Sequence, residues 1–256
     1  MIPENEIKAL ARTYGLPTST IERDYTQNWL LAYLPQMALK GGTGLQKCYF
    51  KSYRFSDDLD FTALKRITLE KMKDQITNTI DKVNNESGIS FLEQIQAEEV
   101  ENGYLFVIHF RILRKTGNPL KIKLDITKKE NEHIMSPLQQ KTVLQTYSDE
   151  LDKQTTVYSL EEMFAEKTRA LFERTRPRDL YDIWYLSKKT TLDSVLFQKK
   201  CEFKHLMIDI NDVISRKTKF ENAWNNSLKH QLKDLPDIKI VFADVIAFLK
   251  TNTTKN

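Results

Sequence analysis

Lys40-Gly41-Gly42-Thr43 is followed, after ten residues, by Arg54-Phe55-Ser56-Asp57-Asp58-Leu59-Asp60-Phe61. The second stretch alternates acid and apolar side chains at Asp58, Leu59, Asp60 and Phe61. On a strand, residues i and i+2 point to the same face, so Asp58 and Asp60 aim at one point while Leu59 and Phe61 enter a core. Two carboxylates on one face repel each other unless a positive charge lies between them. Hard oxygen donors favour Mg²⁺ or Mn²⁺ for that place. The upstream Gly-Gly-Thr turn leads into a helix, where backbone amides can receive phosphate. An acidic metal site beside an amide nest is equipment for a nucleoside triphosphate. The chain has seven glycines, and three of them are Gly41, Gly42 and Gly44, which points to a turn that side chains would obstruct.

Working outward, two helices precede the turn, separated by Leu16-Pro17. The second opens on a capping box, Ser19-Thr20-Ile21-Glu22. Met37 to Lys40 reads as a strand feeding the glycine turn, and Asp58 to Thr62 as the next strand. A polar helix follows from Thr68 to about Glu86, with Leu69, Met72, Ile76 and Ile80 on one stripe. Ile89 to Leu92, Tyr104 to Leu113 and Leu120 to Ile126 read as strands, with turns at Asn102-Gly103 and Gly117-Asn118-Pro119. In the last strand Lys121, Lys123 and Asp125 share one face, so Asp125 is a candidate third carboxylate. From Thr155 onward the pattern predicts helices alone. One is capped by Ser159 and runs through about Phe172, another runs from Asp179 to Ser187, and a polar tail covers Thr251 to Asn256.

The bulk numbers bound the function class. The chain has 256 residues with 40% hydrophobic and 29% charged, ordinary for a globular protein. No apolar run approaches the roughly 18 residues needed to span a bilayer, and the first residues lack a signal-peptide pattern. Cys48 and Cys201 are too few for a disulfide framework or zinc site. The expected location is therefore the cytoplasm, with no membrane partner. A net charge of +4 permits a nucleic-acid partner without demanding one. His109, His133, His205 and His230 have no ligand spacing and read as structural. Lys121, Lys123, Lys128 and Lys129 form a basic stretch that suits RNA phosphates and equally suits a solvated face.

A Gly-Gly-Ser/Thr turn, an Asp-x-Asp strand and a third Asp on a later strand resemble the polymerase-β nucleotidyltransferase superfamily. The resemblance narrows further with Ala165-Glu166-Lys167-Thr168-Arg169-Ala170-Leu171, Arg174 and Arg176-Pro177-Arg178-Asp179-Leu180-Tyr181-Asp182. Taken in order over about residues 20–190, these runs look like AbiEii-type toxins, which include the MenT group. The resemblance implies an α/β (α+β) fold, with a mixed-sheet nucleotidyltransferase domain over residues 1–150. A helical C-terminal domain would occupy residues 151–256 and contribute to the active-site cleft.

It further implies a toxin of a bacterial toxin–antitoxin or phage-defence system, with an antitoxin as partner. Its expected activity is Mg²⁺-dependent transfer of a nucleotide from a nucleoside triphosphate to an acceptor hydroxyl, the 3′ end of transfer RNA being favoured. Asp58, Asp60 and Asp125 are the expected metal ligands. Gly41, Gly42, Thr43, Arg54, Ser56, Lys167, Arg176 and Arg178 are expected at the nucleotide. Lys167, Asp182 and Asp125 join the acid pair as catalytic candidates. Asp179 and Asp182 share a helix face, so the basic cluster also reads as a salt-bridge network between two helices, with Asp179 the more structural of the two acids. Arg54 and Ser56 either touch phosphate or brace the loop. An enzyme that nucleotidylates or phosphorylates protein, such as the antitoxin, uses the same residues. A binding module that acts by sequestration is less consistent with retention of Asp58, Asp60, Lys167 and Asp182.

Overall fold

The computed structural model describes residues 1–35, 37–92, 94–149 and 151–253. It is a mixed α/β structure. The chain divides into two compact units. The first comprises 1–133 and 137–158, the second 134–136 and 159–256.

In the first unit, helices α1 (Glu4–Tyr14) and α2 (Thr18–Tyr33) precede strand β1 (Met37–Lys40), helix α3 (Gly41–Cys48) and strand β2 (Leu59–Ala63). Helix α4 (Leu69–Ser87) leads to β3 (Ser90–Phe91), β4 (Gln96–Val100), β5 (Gly103–Arg111) and β6 (Leu120–Thr127). After a short 3-10 turn, Lys129–Asn131, come β7 (Gln139–Thr142) and β8 (Gln154–Val157). The strands form one sheet in the order β3-β5-β6-β2-β1-β8-β7, with β4 also on β5. The β2–β6 and β1–β8 pairs are parallel, and β1–β2 and β5–β6 are antiparallel.

Alternation explains the inner layer. Leu59 and Phe61 of β2, Ile122, Leu124 and Ile126 of β6, and Phe106, Ile108 and Phe110 of β5 are all buried. Each such side chain removed from water contributes about 1.5–3 kcal/mol before chain entropy is charged against it. Residues between them on each strand face the other way, which is how Asp60 and Asp125 come to lie off the core.

Several expectations change. Helix α2 starts at Thr18, ahead of the Ser19 capping box, because Pro17 is already extended (φ −59°, ψ 144°) and its carbonyl accepts from Thr20 N. Ser159 does cap its helix, accepting from Glu162 N. The helical run expected from Thr155 is interrupted at its start by β8, which lies beside β1 through Leu39 and Val157. The polar strands β4 and β7 were also unmarked in the sequence. Helix α10 extends to Asn252, and the tail beyond Thr253 lies outside the described residues.

The second unit is helical: α5 (Leu160–Glu173), α6 (Pro177–Ser187), α7 (Ser194–Phe203), α8 (Ile210–Ser215), α9 (Lys217–Leu228) and α10 (Ile238–Asn252). A buried Glu162 draws the segment Ile134–Ser136 onto it. Its carboxylate accepts from Met135 N at 3.0 Å and Ser136 N at 2.8 Å. The same carboxylate pairs with buried Lys200 of α7, which also reaches Glu166 at 3.1 Å.

Candidate active site

The acid pair occupies the end of β2 next to β1 and β6. Asp58 sits on the bend just ahead of β2, and Asp60 is its second residue. Asp60 is flanked in register by Lys40 of β1 on one side and Asp125 of β6 on the other. Cross-strand partners in register share a face, so the structure brings Asp60 and Asp125 side by side. Asp125 is exposed and Asp58 and Asp60 are half-buried.

The glycine turn is fitted to these groups. Gly41 has φ +69°, a conformation that disfavours other residues. A Cβ on Gly41 would stand 2.2 Å from Asp60 Oδ2, and one on Gly42 would stand 2.5 Å from an Arg54 guanidinium nitrogen. The turn therefore presses against the Asp60 carboxylate and the Arg54 head, and either side chain would have to move. Thr43 is fully buried, and its hydroxyl donates to the Asp58 carbonyl. That bond ties the first turn of α3 to the segment carrying the acids.

Arg54 and Ser56 brace the loop. Arg54 is 2% exposed, donates to the Phe55 carbonyl at 3.2 Å and stacks near the Tyr53 ring. Ser56 is buried, and its carbonyl accepts from Gln27 Nε2 at 3.0 Å.

Two contributions had gone unmarked. Lys40 is the register partner of Asp60, and its ammonium lies 3.0 Å from Thr127 Oγ1 and 3.6 Å from Glu132 Oε2. Its position on β1, directly before Gly41, was a usable signal. Glu132, in a charged loop, gave none. The second is a buried knot under α3. Lys47 Nζ pairs with Asp24 Oδ1 of α2 at 2.5 Å, Gln46 Nε2 donates to the same oxygen, and Tyr147 OH donates to Asp24 Oδ2. Burial pushes the Lys47 ammonium pKa down, against the pull of Asp24. The knot fixes α3, and with it the glycine turn, against α2.

The donor chemistry fits a divalent cation. Adjacent oxygen donors on β2 and β6 are what Mg²⁺ accepts, and Mg²⁺ commonly uses one or two carboxylates together with substrate phosphates. Among the described residues no three His, Cys, Asp or Glu side chains converge as a ready-made metal site. The thiols are core groups: burial pushes Cys48 up to about 12 and Cys201 up to about 11.

In the second unit, Lys167 of α5 is held by two carboxylates of α6, Asp179 Oδ1 at 2.9 Å and Asp182 Oδ2 at 2.8 Å. Arg174 Nε completes the cluster on Asp179 Oδ2 at 2.8 Å. Asp179 and Asp182 are both buried. Burial alone would raise the Asp179 carboxyl; Lys167 and Arg174 outweigh it and hold the group well below the usual carboxylate range. The network joins two helices and holds one lysine ammonium between two carboxylates. Arg176 is exposed at the N-cap of α6, and Arg178 is half-buried in its first turn.

A family model described as "Nucleotidyl transferase AbiEii toxin, Type IV TA system" matches residues 25–249. Similar solved structures include MenT4, a nucleotidyltransferase toxin from Mycobacterium tuberculosis H37Rv. It is 17% identical with a TM-score of 0.65, covering 98% of this chain and 90% of that one. A putative nucleotidyltransferase from Helicobacter pylori is 19% identical with a TM-score of 0.59, covering 91% of this chain and 95% of that one. JHP933 from Helicobacter pylori is 19% identical with a TM-score of 0.56, covering 91% and 92%. These likenesses are of fold. No curated protein matches the chain significantly. No helix among the described residues is long and apolar enough to cross a membrane.

Proposed function

The chain belongs to the AbiEii family of nucleotidyltransferase toxins of type IV toxin–antitoxin systems, and from that premise we propose that it moves a nucleoside monophosphate from a triphosphate to the 3′-terminal hydroxyl of transfer RNA. The observation that supports this best is the juxtaposition of Asp60 and Asp125 on neighbouring parallel strands, with Gly41 closed against Asp60. The proposal places the toxin in the cytoplasm, where loss of usable transfer RNA halts translation, and gives it a cognate antitoxin and a role in phage defence.

The acceptor hydroxyl attacks the α-phosphorus in line with the bridging oxygen. A new P–O bond forms as the bond to the β-phosphate breaks, and pyrophosphate leaves. The hydroxyl proton passes to a base, a role assigned to Asp125 because it neighbours the acid pair and is exposed to an incoming acceptor. The amides of Gly42 and Thr43 at the α3 N-terminus receive phosphate oxygens. Lys167, with its position set by Asp179 and Asp182, carries positive charge to the triphosphate, and Arg176 and Arg178 add to it. Asp58, Asp60 and Asp125 would hold Mg²⁺ or Mn²⁺, which supplies charge neutralisation for the reacting oxygens.

The test is incubation of purified protein with Mg²⁺, total bacterial RNA and each α-³²P-labelled nucleoside triphosphate, beside Asp60→Ala. Label entering RNA of transfer-RNA size with wild type alone is the expected result and names the base. Label entering protein instead, with no RNA labelled, overturns the RNA acceptor.

A further inference from the structure

Strand β6 carries a row of charge in which Asp125 is used by the chemistry above and the two lysines are not. Ile122, Leu124 and Ile126 are fully buried, while Lys121, Lys123 and Asp125 are exposed on the opposite face. Lys121 to Asp125 spans about 13 Å of strand, with the lysines about 6.6 Å apart. Across the sheet, Lys121 pairs in register with His109 and Lys123 with Val107, while Asp125 lies between Leu105 and Asp60.

Among the described residues, neither the Lys121 nor the Lys123 ammonium forms an ion pair. Lys128 differs, since it is paired with Glu99 and lies over the Tyr104 ring. Exposed lysines often protect sheet edges from pairing; here β5 lies along one side of both lysines, and on the other side, where β2 joins β6 only from Leu124 onward, Arg23 Nε meets the Lys121 carbonyl at 3.1 Å. The opposing charge on this face is Asp125, its register partner Asp60 on β2, and Glu98, the register partner of Leu105 on β4.

We propose that Lys121 and Lys123 are the track along which the backbone of a single-stranded RNA 3′ end runs to Asp125 and Asp60. This rests on RNA being the acceptor. Two unpaired ammonium groups repeating along an extended strand suit successive phosphates, and binding them releases condensed counterions. Half-exposed Leu105 and Val107 on the same face offer apolar surface to a base or ribose. An acidic peptide is the competing occupant.

The experiment is fluorescence anisotropy of a short single-stranded RNA with wild type, K121E/K123E, and K71E/K73E on the exposed side of α4. The last variant carries the same change in net charge outside the row. The track requires at least about tenfold weaker RNA binding by K121E/K123E, and a salt slope lower by about 1.4, from roughly 0.7 per phosphate contact. K71E/K73E should keep wild-type affinity. Should charge reversal unfold the protein, as judged by circular dichroism, K121Q/K123Q reads the same drop in slope. Equal loss in both variants, no loss in the lysine-row variant, or binding of poly-glutamate rather than RNA overturns the track. The titration contains no nucleotide. Wild type that binds RNA through the row yet never labels it keeps the track and removes the acceptor assignment.

Discussion

Gly41 and Asp60 touch so closely that one added carbon on Gly41 would lie 2.2 Å from a carboxylate oxygen of Asp60. The relationship couples the turn, whose next amides are the ones proposed to receive phosphate, to a proposed metal ligand. It also sets the distance between them without any side chain on the turn. Gly41→Ala should therefore lower nucleotidyl transfer by about 100-fold or more, because displacement of a reacting group by around 1 Å costs that much. The left-handed φ adds a stability cost on the order of 1 kcal/mol. Label transfer and thermal melting, run side by side, separate the two effects; a folded Gly41→Ala protein of wild-type activity would disprove the coupling.

Thr43 gives a second probe of the same geometry. Its buried hydroxyl holds the Asp58 carbonyl rather than projecting from the turn. Thr43→Val keeps the volume and removes the donor, which should cost about 0.5–1.5 kcal/mol of stability through the lost hydrogen bond. Transfer should fall with it as Asp58 loses this anchor. Thr43→Ser should restore both. If serine fails while valine succeeds, the methyl group and not the hydroxyl is what the site needs.

These relationships divide cleanly by range. The alternation of Leu59 and Phe61, and of Ile122, Leu124 and Ile126, was readable because it repeats every second residue and reports a buried face directly. Gly41 and Gly42 stood out by their concentration, although what they press against was not readable. Gln154–Val157 and Gln139–Thr142 are polar, so only pairing with a neighbour makes them strands. The pairs Asp24–Lys47 and Lys40–Glu132 join residues 23 and 92 positions apart, and no local pattern encodes such a meeting. For Lys167 the resemblance marked the residue, while the two carboxylates holding it came from the packing of α5 on α6.

Acid should loosen the helical unit. The Asp179 carboxyl is depressed when folded, so its contribution is present above the unfolded carboxylate pKa of about 3.9 and is lost as pH falls toward the folded value. Thermal melts should show the stability difference between wild type and Asp179→Asn shrinking below about pH 4. A difference that stays constant through that range would mean Lys167 and Arg174 do not stabilise the ionised form.

Lys167→Ala is the obvious test of the phosphate assignment, but the structure makes it an ambiguous one. The substitution removes the ammonium shared by two buried carboxylates, leaving Asp182 without this partner and Asp179 with Arg174. Breaking a buried pair in this way costs about 3–5 kcal/mol, enough to unfold a marginal domain and mimic a catalytic defect. The double substitution Lys167→Met with Asp182→Asn removes one charge of each sign, so its melting temperature should recover much of what Lys167→Ala loses. Activity should not recover, because the charge proposed for Lys167 at the triphosphate is then missing. A double variant that is both stable and active would show that Lys167 serves only to join α5 to α6. A stable, inactive one would separate its chemistry from its structural part.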